Sequence, residues 1–320
     1  MPFNIARLAV ACAIPWALAA TSAHSQGNSP SGPQGGTHSG KLLLTGGVSS
    51  IDGAAGGGLT PWAVTGGYGT SGEFGGSGFA TRVETNDYAL TGYGVAFAYS
   101  DRIELSLARQ DFDTGPVAGV LAGILGPSFN GLRLKQDIFG VKVKVAGDAV
   151  LDSDSLTPQI AVGVQYKKAD AGPLKPVLAS FGAKDHGTDV YISATKLFLA
   201  QGILVNGTLR ATKANQNGLL GFGATGHTSY QLQPEVSVAL LLRKNIAVGV
   251  EYRAKPDNLH DNTALGPGVF KEDDWADLFV AWAPTKNMSL TAAYVDLGKI
   301  VPGVVSKRQT GAYLSAQLSF

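Results

Sequence analysis

The sequence predicts an all-β fold: a transmembrane antiparallel β-barrel of about 12 strands, with 14 as the alternative, joined by short turns at one end and long loops at the other. Three observations carry this. From residue 88 onward, apolar and polar residues alternate with the period of two that gives a strand one oily and one wet face. The connections between these segments alternate strictly between short and long. And the 320 residues are 44% hydrophobic but only 15% charged, with 43 glycines, against about 25% charge and about 7% glycine in an ordinary soluble domain. No apolar run of the mature chain approaches the ~18 to 20 residues of a membrane helix. Any crossing of a bilayer is therefore made by strands.

The elements follow in order. Residues 42–83, with LLLTGG, GGGLTPWAVTGGYG and GSGFATRV, are soaked in glycine and read as one or more softened strands or as a segment tucked into the barrel mouth. In 88–99, Tyr93, Val95, Phe97 and Tyr99 oppose Gly92, Gly94, Ala96 and Ala98. The segments 102–112, 133–146, 157–168, 187–200, 202–213, 229–242, 245–254, 273–284 and 287–297 repeat the alternation, though 187–200 does so less clearly. The last strand, 310–320 (TGAYLSAQLSF), puts Ala312, Leu314, Ala316, Leu318 and Phe320 on one face and Tyr313, Ser315, Gln317 and Ser319 on the other. Segments of ~10 to 14 residues suffice to cross a hydrocarbon slab at a tilt. Tyr99, Tyr166, Tyr252, Trp282 and Tyr294 recur near segment ends on the oily face, as an interfacial girdle requires.

The long connections are 113–132, 169–186, 214–228, 255–272 and 298–309; the short ones fall between them. Tight periplasmic turns and longer outer loops produce this order. With Phe320 at the periplasmic end, an even strand count needs one or three strands from 42–83, and one is the smaller assumption.

The N-terminus predicts export. Residues 1–25 read as a signal peptide: Arg7, an apolar core over 8–20, and Ala23 and Ser25 suited to a cleavage site. The single cysteine, Cys12, lies inside that core, so the mature chain has neither thiol nor disulfide. Residues 26–41 form a flexible Gly/Ser/Pro-rich lead, and 42–320 the barrel. A formal net charge of +1 argues against a nucleic-acid partner.

The stretches LLLTGG (42–47), GGGLTPWAV (56–64), DIFGVKVKVAGD (137–148), TLRATKANQNGLLGFG (208–223), EYRAKPDNL (251–259) and YVDLG (294–298) resemble a family of proteobacterial outer-membrane β-barrels catalogued only as a domain of unknown function. The resemblance spans about 42–320 and implies barrel and location, but no substrate and no catalytic residues. The final strand ending in Phe320 likewise resembles the terminal strand of bacterial outer-membrane barrels, which implies recognition by the barrel assembly machinery. Outer-membrane lipid and lipopolysaccharide would be the surrounding partners.

Candidate chemistry is sparse. Gly56-Gly57-Gly58 lacks the Gly-Lys-Ser/Thr ending of a phosphate loop. His227 and Ser229 have the spacing of an outer-membrane lipid hydrolase, but Ser229 shares parity with Gln231, Gln233 and Glu235 on the wet face, away from lipid. Glu272, Asp273, Asp274 and Asp277 offer oxygen ligands for Ca²⁺ or Mg²⁺, yet read as a solvated loop edge. His186 and His260 lie in loops with no clustered partner. The sequence therefore predicts no enzyme, no cofactor and no metal. What remains is the wet face of the wall: Arg102, Glu104, Lys142, Lys144, Lys167, Arg210, Glu235, Glu251, Arg253 and Asp277, six basic and four acidic. As a pore lining these would favour passage or uptake of small polar or weakly anionic solutes. As a paired network filling the lumen, together with the Gly-rich N-terminal segment, they would make a closed structural or surface-binding barrel. A soluble exported β-protein is the remaining class. The apolar loop 113–132 (PVAGVLAGILGP) is a candidate constriction, or a contact for a hydrophobic solute.

Overall fold

Because strand side chains alternate, a sheet oily on one face and wet on the other buries neither unless it closes on itself or meets lipid. A computed structural model describes residues 41–148, 157–261 and 268–320, and in it the sheet closes. The signal-peptide and lead segments lie outside the described residues, except Lys41.

Twelve antiparallel strands run in sequence order: β1 (Phe74–Thr85), β2 (Ala89–Tyr99), β3 (Ile103–Asp113), β4 (Arg133–Ala146), β5 (Gln159–Asp170), β6 (His186–Phe198), β7 (Ile203–Thr212), β8 (Gln231–Arg243), β9 (Ile246–Arg253), β10 (Trp275–Trp282), β11 (Met288–Asp296) and β12 (Thr310–Ser319). Each pairs with its neighbours, and β1 pairs with β12 from Ser77 opposite Ser319 to Thr85 opposite Gly311. No edge is left open, so every wall strand has a ladder partner on both sides.

The outer face is the oily one. Val95, Phe97, Leu105, Leu107, Val236, Val250 and Val280 are all exposed. Phe74, Tyr99 and Trp282 ring the end carrying short turns, and Tyr166, Tyr252 and Tyr294 ring the end carrying loops. An exposed apolar band between two aromatic girdles is a lipid-facing surface. The loop end departs from expectation at one place: β1 and β2 are joined by residues 86–88 alone.

The glycine-rich stretch turns out to be two things. Residues 74–85 form β1, so twelve strands and not fourteen. Residues 41–73 fold into the lumen as a plug, and 44–67 are buried throughout. Two successive turns shape it, bridged at Ser49–Ala55 and Gly56–Pro61. Gly53, with φ +93°, makes the first turn possible. Gly57 passes so close to the wall that a Cβ there would lie 1.9 Å from Glu251 Oε1.

At the loop end the β3–β4 loop carries helix α1 (Pro116–Leu125) and the β5–β6 loop carries helix α2 (Lys175–Ser180). Pro sits in the first turn of each, where its missing N–H would be unpaired anyway. The β7–β8 loop turns inward instead. Its residues 214–224 are buried, with Gln216 (φ +44°) and Asn217 (φ +58°) held in the left-handed region. Non-glycine residues persist there only when the surroundings over-determine them.

Candidate functional site: a plugged lumen beneath an apolar chamber

The lumen is stacked in three layers. Nearest the turn end, Leu44, Val48, Trp62 and Val64 of the plug pack against Leu197, Leu204, Ala239, Ala247 and Phe279 of the wall. The small inward residues of the wall make room for this packing, which a row of large ones would exclude.

The middle layer is ionic. Asp52, at the first plug turn, faces three cations: Arg253 Nη2 at 2.8 Å, Lys167 Nζ at 3.5 Å and Arg210 Nη2 at 3.9 Å. Arg210 also meets Glu235 at 2.6 Å, and Lys167 meets Asp189 at 3.1 Å. Lys142 pairs with Glu104 at 3.1 Å. These wall groups also satisfy the plug backbone. Glu104 accepts from the N–H groups of Ala55 (3.1 Å) and Gly66 (2.7 Å), and Glu251 from that of Leu59 (2.7 Å). Lys142 donates to the carbonyls of Ala55 and Trp62, Arg253 to that of Leu59, and Gln110 to that of Ile51. A plug with little regular structure has many backbone groups to pair once it leaves water, and the charged wall supplies their partners.

Of the ten wet-face candidates, Glu104, Lys142, Lys167, Arg210, Glu235, Glu251, Arg253 and Asp277 are buried inside the lumen. The Asp277 carboxylate has no hydrogen-bond partner among the described residues and lies opposite Glu251 in the β9–β10 register. Lys144 is half-buried at the turn end, 2.5 Å from Asp101. Arg102 departs from the expectation of a lumen-lining residue. It sits exposed in the β2–β3 turn, where the chain has left the sheet and strand parity no longer fixes direction.

Phe320 lies exposed at the turn-end rim. Its carbonyl accepts from the N–H groups of Tyr68 and Gly76, both at 3.0 Å, which ties the chain end to the base of the plug.

The third layer, at the loop end, is an apolar chamber of about 90 Å³. Its floor includes Ile51 and Leu59 of the plug. Its walls include Leu90, Phe112, Leu134, Val295 and Tyr313, and its roof Val117 and Leu121 of α1, Leu174, Leu219, Leu220, Phe270 and Val301. The apolar 113–132 loop thus contributes to the roof. Sequence reasoning missed the other contributors, because Leu219, Leu220 and Phe270 lie in loops with no periodic signal.

At the chamber's side a polar cluster is enclosed. Glu272 accepts both its hydrogen bonds from Gln216 N–H at 2.9 Å and lies 3.6 Å from Lys255 Nζ, which donates to Gln216 Oε1 at 2.8 Å and lies over the Trp275 ring. Burial pushes the Glu272 carboxyl up to about 7, against the pull of Lys255, and pushes the Lys255 ammonium down. The rest of the acidic run disperses: Asp273 reaches Arg308 and the N–H of Lys299, and Asp274 the Tyr252 hydroxyl and the N–H of Lys255. No shared cation position results among them.

The His227–Ser229 pair does not assemble. His227 turns toward Asp261 at 3.0 Å, and Ser229 is exposed ahead of β8. Among the described residues, one group of metal-capable donors does converge: His227, His260 and Asp261.

A closed sheet, an external lipid belt and aromatic girdles define a β-barrel of the outer-membrane type, here with its lumen plugged by its own N-terminal segment. The chain belongs to the family described as Protein of unknown function (DUF3034), whose model matches residues 45–317. No curated protein matches. Similar solved structures include a KdgM porin, at 8% identity and TM-score 0.47, covering 76% of this chain and 99% of that one. A NanC porin has the same identity, TM-score and share of this chain, with 98% of its own covered. Outer membrane phospholipase A from Escherichia coli follows at 9% identity and TM-score 0.40, covering 79% and 94%.

Proposed function

We propose that this protein is an outer-membrane uptake protein for small apolar solutes, received at the loop end and held in the chamber above the plug. The observation that carries the reading is the chamber itself: an enclosed cavity of about 90 Å³ bounded almost wholly by hydrocarbon. Sites for small apolar molecules are concave and lined predominantly by hydrophobic and aromatic side chains. Here Tyr88, Trp275 and Gln216 line the chamber with their carbon atoms, and almost no polar surface faces the empty space. A small solute without strong hydrogen-bonding groups fits such a wall.

The geometry favours this class over polar or weakly anionic solutes. Apart from Asp277 and the exposed Arg102, the charges that suggested the latter are engaged with one another and with the plug, so they present little to a passing ion. Onward passage requires the plug to shift. In this orientation the loops face outward, and Phe320 stands at the periplasmic rim, where an exposed aromatic ring is available to the assembly machinery.

The test is saturable binding of a fluorescent apolar probe, N-phenyl-1-naphthylamine, to the purified barrel. Leu121→Trp, which points a larger ring into the chamber from α1, is expected to weaken binding at least tenfold. Ile124→Trp, on the exposed side of the same helix, is expected to leave it unchanged. Equal binding by both variants would remove the reading. A second reading, a closed barrel that binds without transport, draws on the extensive bonding of the plug. Probe binding without entry into proteoliposomes would select it.

A further inference from the structure

The loops that roof the chamber bring together three side chains that the sequence keeps apart. His227 lies in the β7–β8 loop; His260 and Asp261 lie in the β9–β10 loop. Asp261 receives both imidazoles, His227 Nε2 at 3.0 Å from Oδ2 and His260 Nε2 at 2.8 Å from Oδ1. The two rings are 5.2 Å apart, and one donor atom from each of the three residues lies within 4.8 Å of the others.

The tautomer of His260 makes this more than a polar contact. Its Nδ1 is hydrogen-bonded to the backbone carbonyl of Asp257. A carbonyl only accepts, so Nδ1 carries the proton. In the neutral ring Nε2 then presents a lone pair, and that lone pair faces a carboxylate oxygen at 2.8 Å. Two electron-rich atoms at this distance need a positive centre between them, either a second proton or a metal ion. An Nδ1–H bound to a backbone carbonyl, with Nε2 free to ligate, is also the arrangement that orients metal-bound histidines.

We propose that His227 Nε2, His260 Nε2 and the Asp261 carboxylate bind a first-row divalent cation, Zn²⁺ by preference, and that the ion ties the β7–β8 loop to the β9–β10 loop. Two imidazoles and a carboxylate suit Zn²⁺, with water in the fourth position. Metal–donor bonds of about 2.0 to 2.2 Å set tetrahedral donors about 3.3 Å apart. The observed 2.8 and 3.0 Å therefore widen by a few tenths of an ångström on loading. The side chains are partly exposed, which gives the ion a path from solvent. Both loops also supply chamber roof, Leu219 and Leu220 from one and Val269 and Phe270 from the other, so the ion sits where the roof is held together. The site stands on its own geometry and does not depend on what the chamber binds.

The experiment is calorimetric titration of the full chain, purified in detergent without a polyhistidine tag, with ZnCl₂. One saturable site is expected. His227→Ala and His260→Ala are each expected to weaken it at least tenfold, and His260→Cys, which supplies a thiolate, to retain binding. His186→Ala, whose imidazole pairs with Asp185 elsewhere, is the control and should bind as the parent does. Amide exchange in residues 213–230 and 254–261 should slow on Zn²⁺ addition in the parent and not in His227→Ala. Absence of a saturable site, which would leave only a shared proton between His260 and Asp261, overturns the proposal. So does unchanged affinity in both alanine variants, provided that heat-shifted gel mobility shows the barrels folded.

Discussion

The two halves of this lumen are built on opposite physics. Below the chamber, plug and wall meet through an apolar layer at the turn end and, above it, through paired charges and bonded backbone, with Asp52 held by Arg253 at 2.8 Å and Glu104 holding two plug amides. Toward the loop end the wall is hydrocarbon around empty space. The difference follows from what each half encloses. An irregular plug segment must have its N–H and C=O groups matched one by one. A chamber for an apolar guest turns hydrocarbon toward its space and gains by staying greasy. The same strands serve both, because each wall strand runs from one layer into the next.

The largest effect should come from erasing one half. Deleting residues 41–66 removes the packing and bonding of the middle and turn-end layers while leaving the twelve wall strands. Planar-bilayer recording should then show conductance steps, and the full chain should show none; a silent deletion variant with a folded wall would mean the lumen is blocked without the plug. Next in size is the keystone of the ionic layer. Asp52→Ala leaves Arg253, Lys167 and Arg210 with only Glu235 and Asp189 between them, one buried positive charge in excess, and breaking one partner of a buried charge set destabilises by about 3 to 5 kcal/mol. Denaturant unfolding followed by tryptophan fluorescence measures this. A loss below about 1 kcal/mol, the range of exposed pairs, would mean that water reaches the layer.

The smallest effect probes the polar cluster at the edge of the greasy half. Glu272 holds its proton to about pH 7 in the fold, against an ordinary carboxyl value of 4.5. Between those values the folded chain binds more protons than the unfolded one, so stability falls as pH rises through that window. The groups facing this carboxyl are Lys255, whose ammonium burial weakens, and Asp257. Protection of the amides at 268–274 and 214–218, relative to their intrinsic exchange rates at each pH, should therefore fall from pH 5 to pH 8. Glu272→Gln, which cannot ionise, should flatten that response, and an undiminished pH response in the variant would assign it elsewhere.

Much of the wall was legible in the chain. The alternation of Tyr93, Val95 and Phe97 with Gly92, Gly94 and Ala96 located β2 and both its faces, and the order of short and long links gave the antiparallel circuit. Legibility failed where periodicity stops. Arg102 shares parity with Glu104, but a turn residue obeys no pleat. The glycines of 41–73 permit many conformations, so composition alone could not choose between more wall and a plug. His227 and His260 are 33 positions apart in separate loops, and no spacing rule joins them.

The amino-acid order by itself determined an antiparallel barrel wall with one oily and one wet face, of about twelve strands with fourteen left open, because side-chain direction in a strand is fixed by counting and needs no partner to define it. Only the tertiary structure decided what fills that sheet. Which lumen charges pair, where the plug turns, and which loops roof the chamber depend on contacts between segments up to about two hundred residues apart, such as Asp52 with Arg253. Such contacts leave no periodic trace in the chain, since either partner alone is a polar residue like many others.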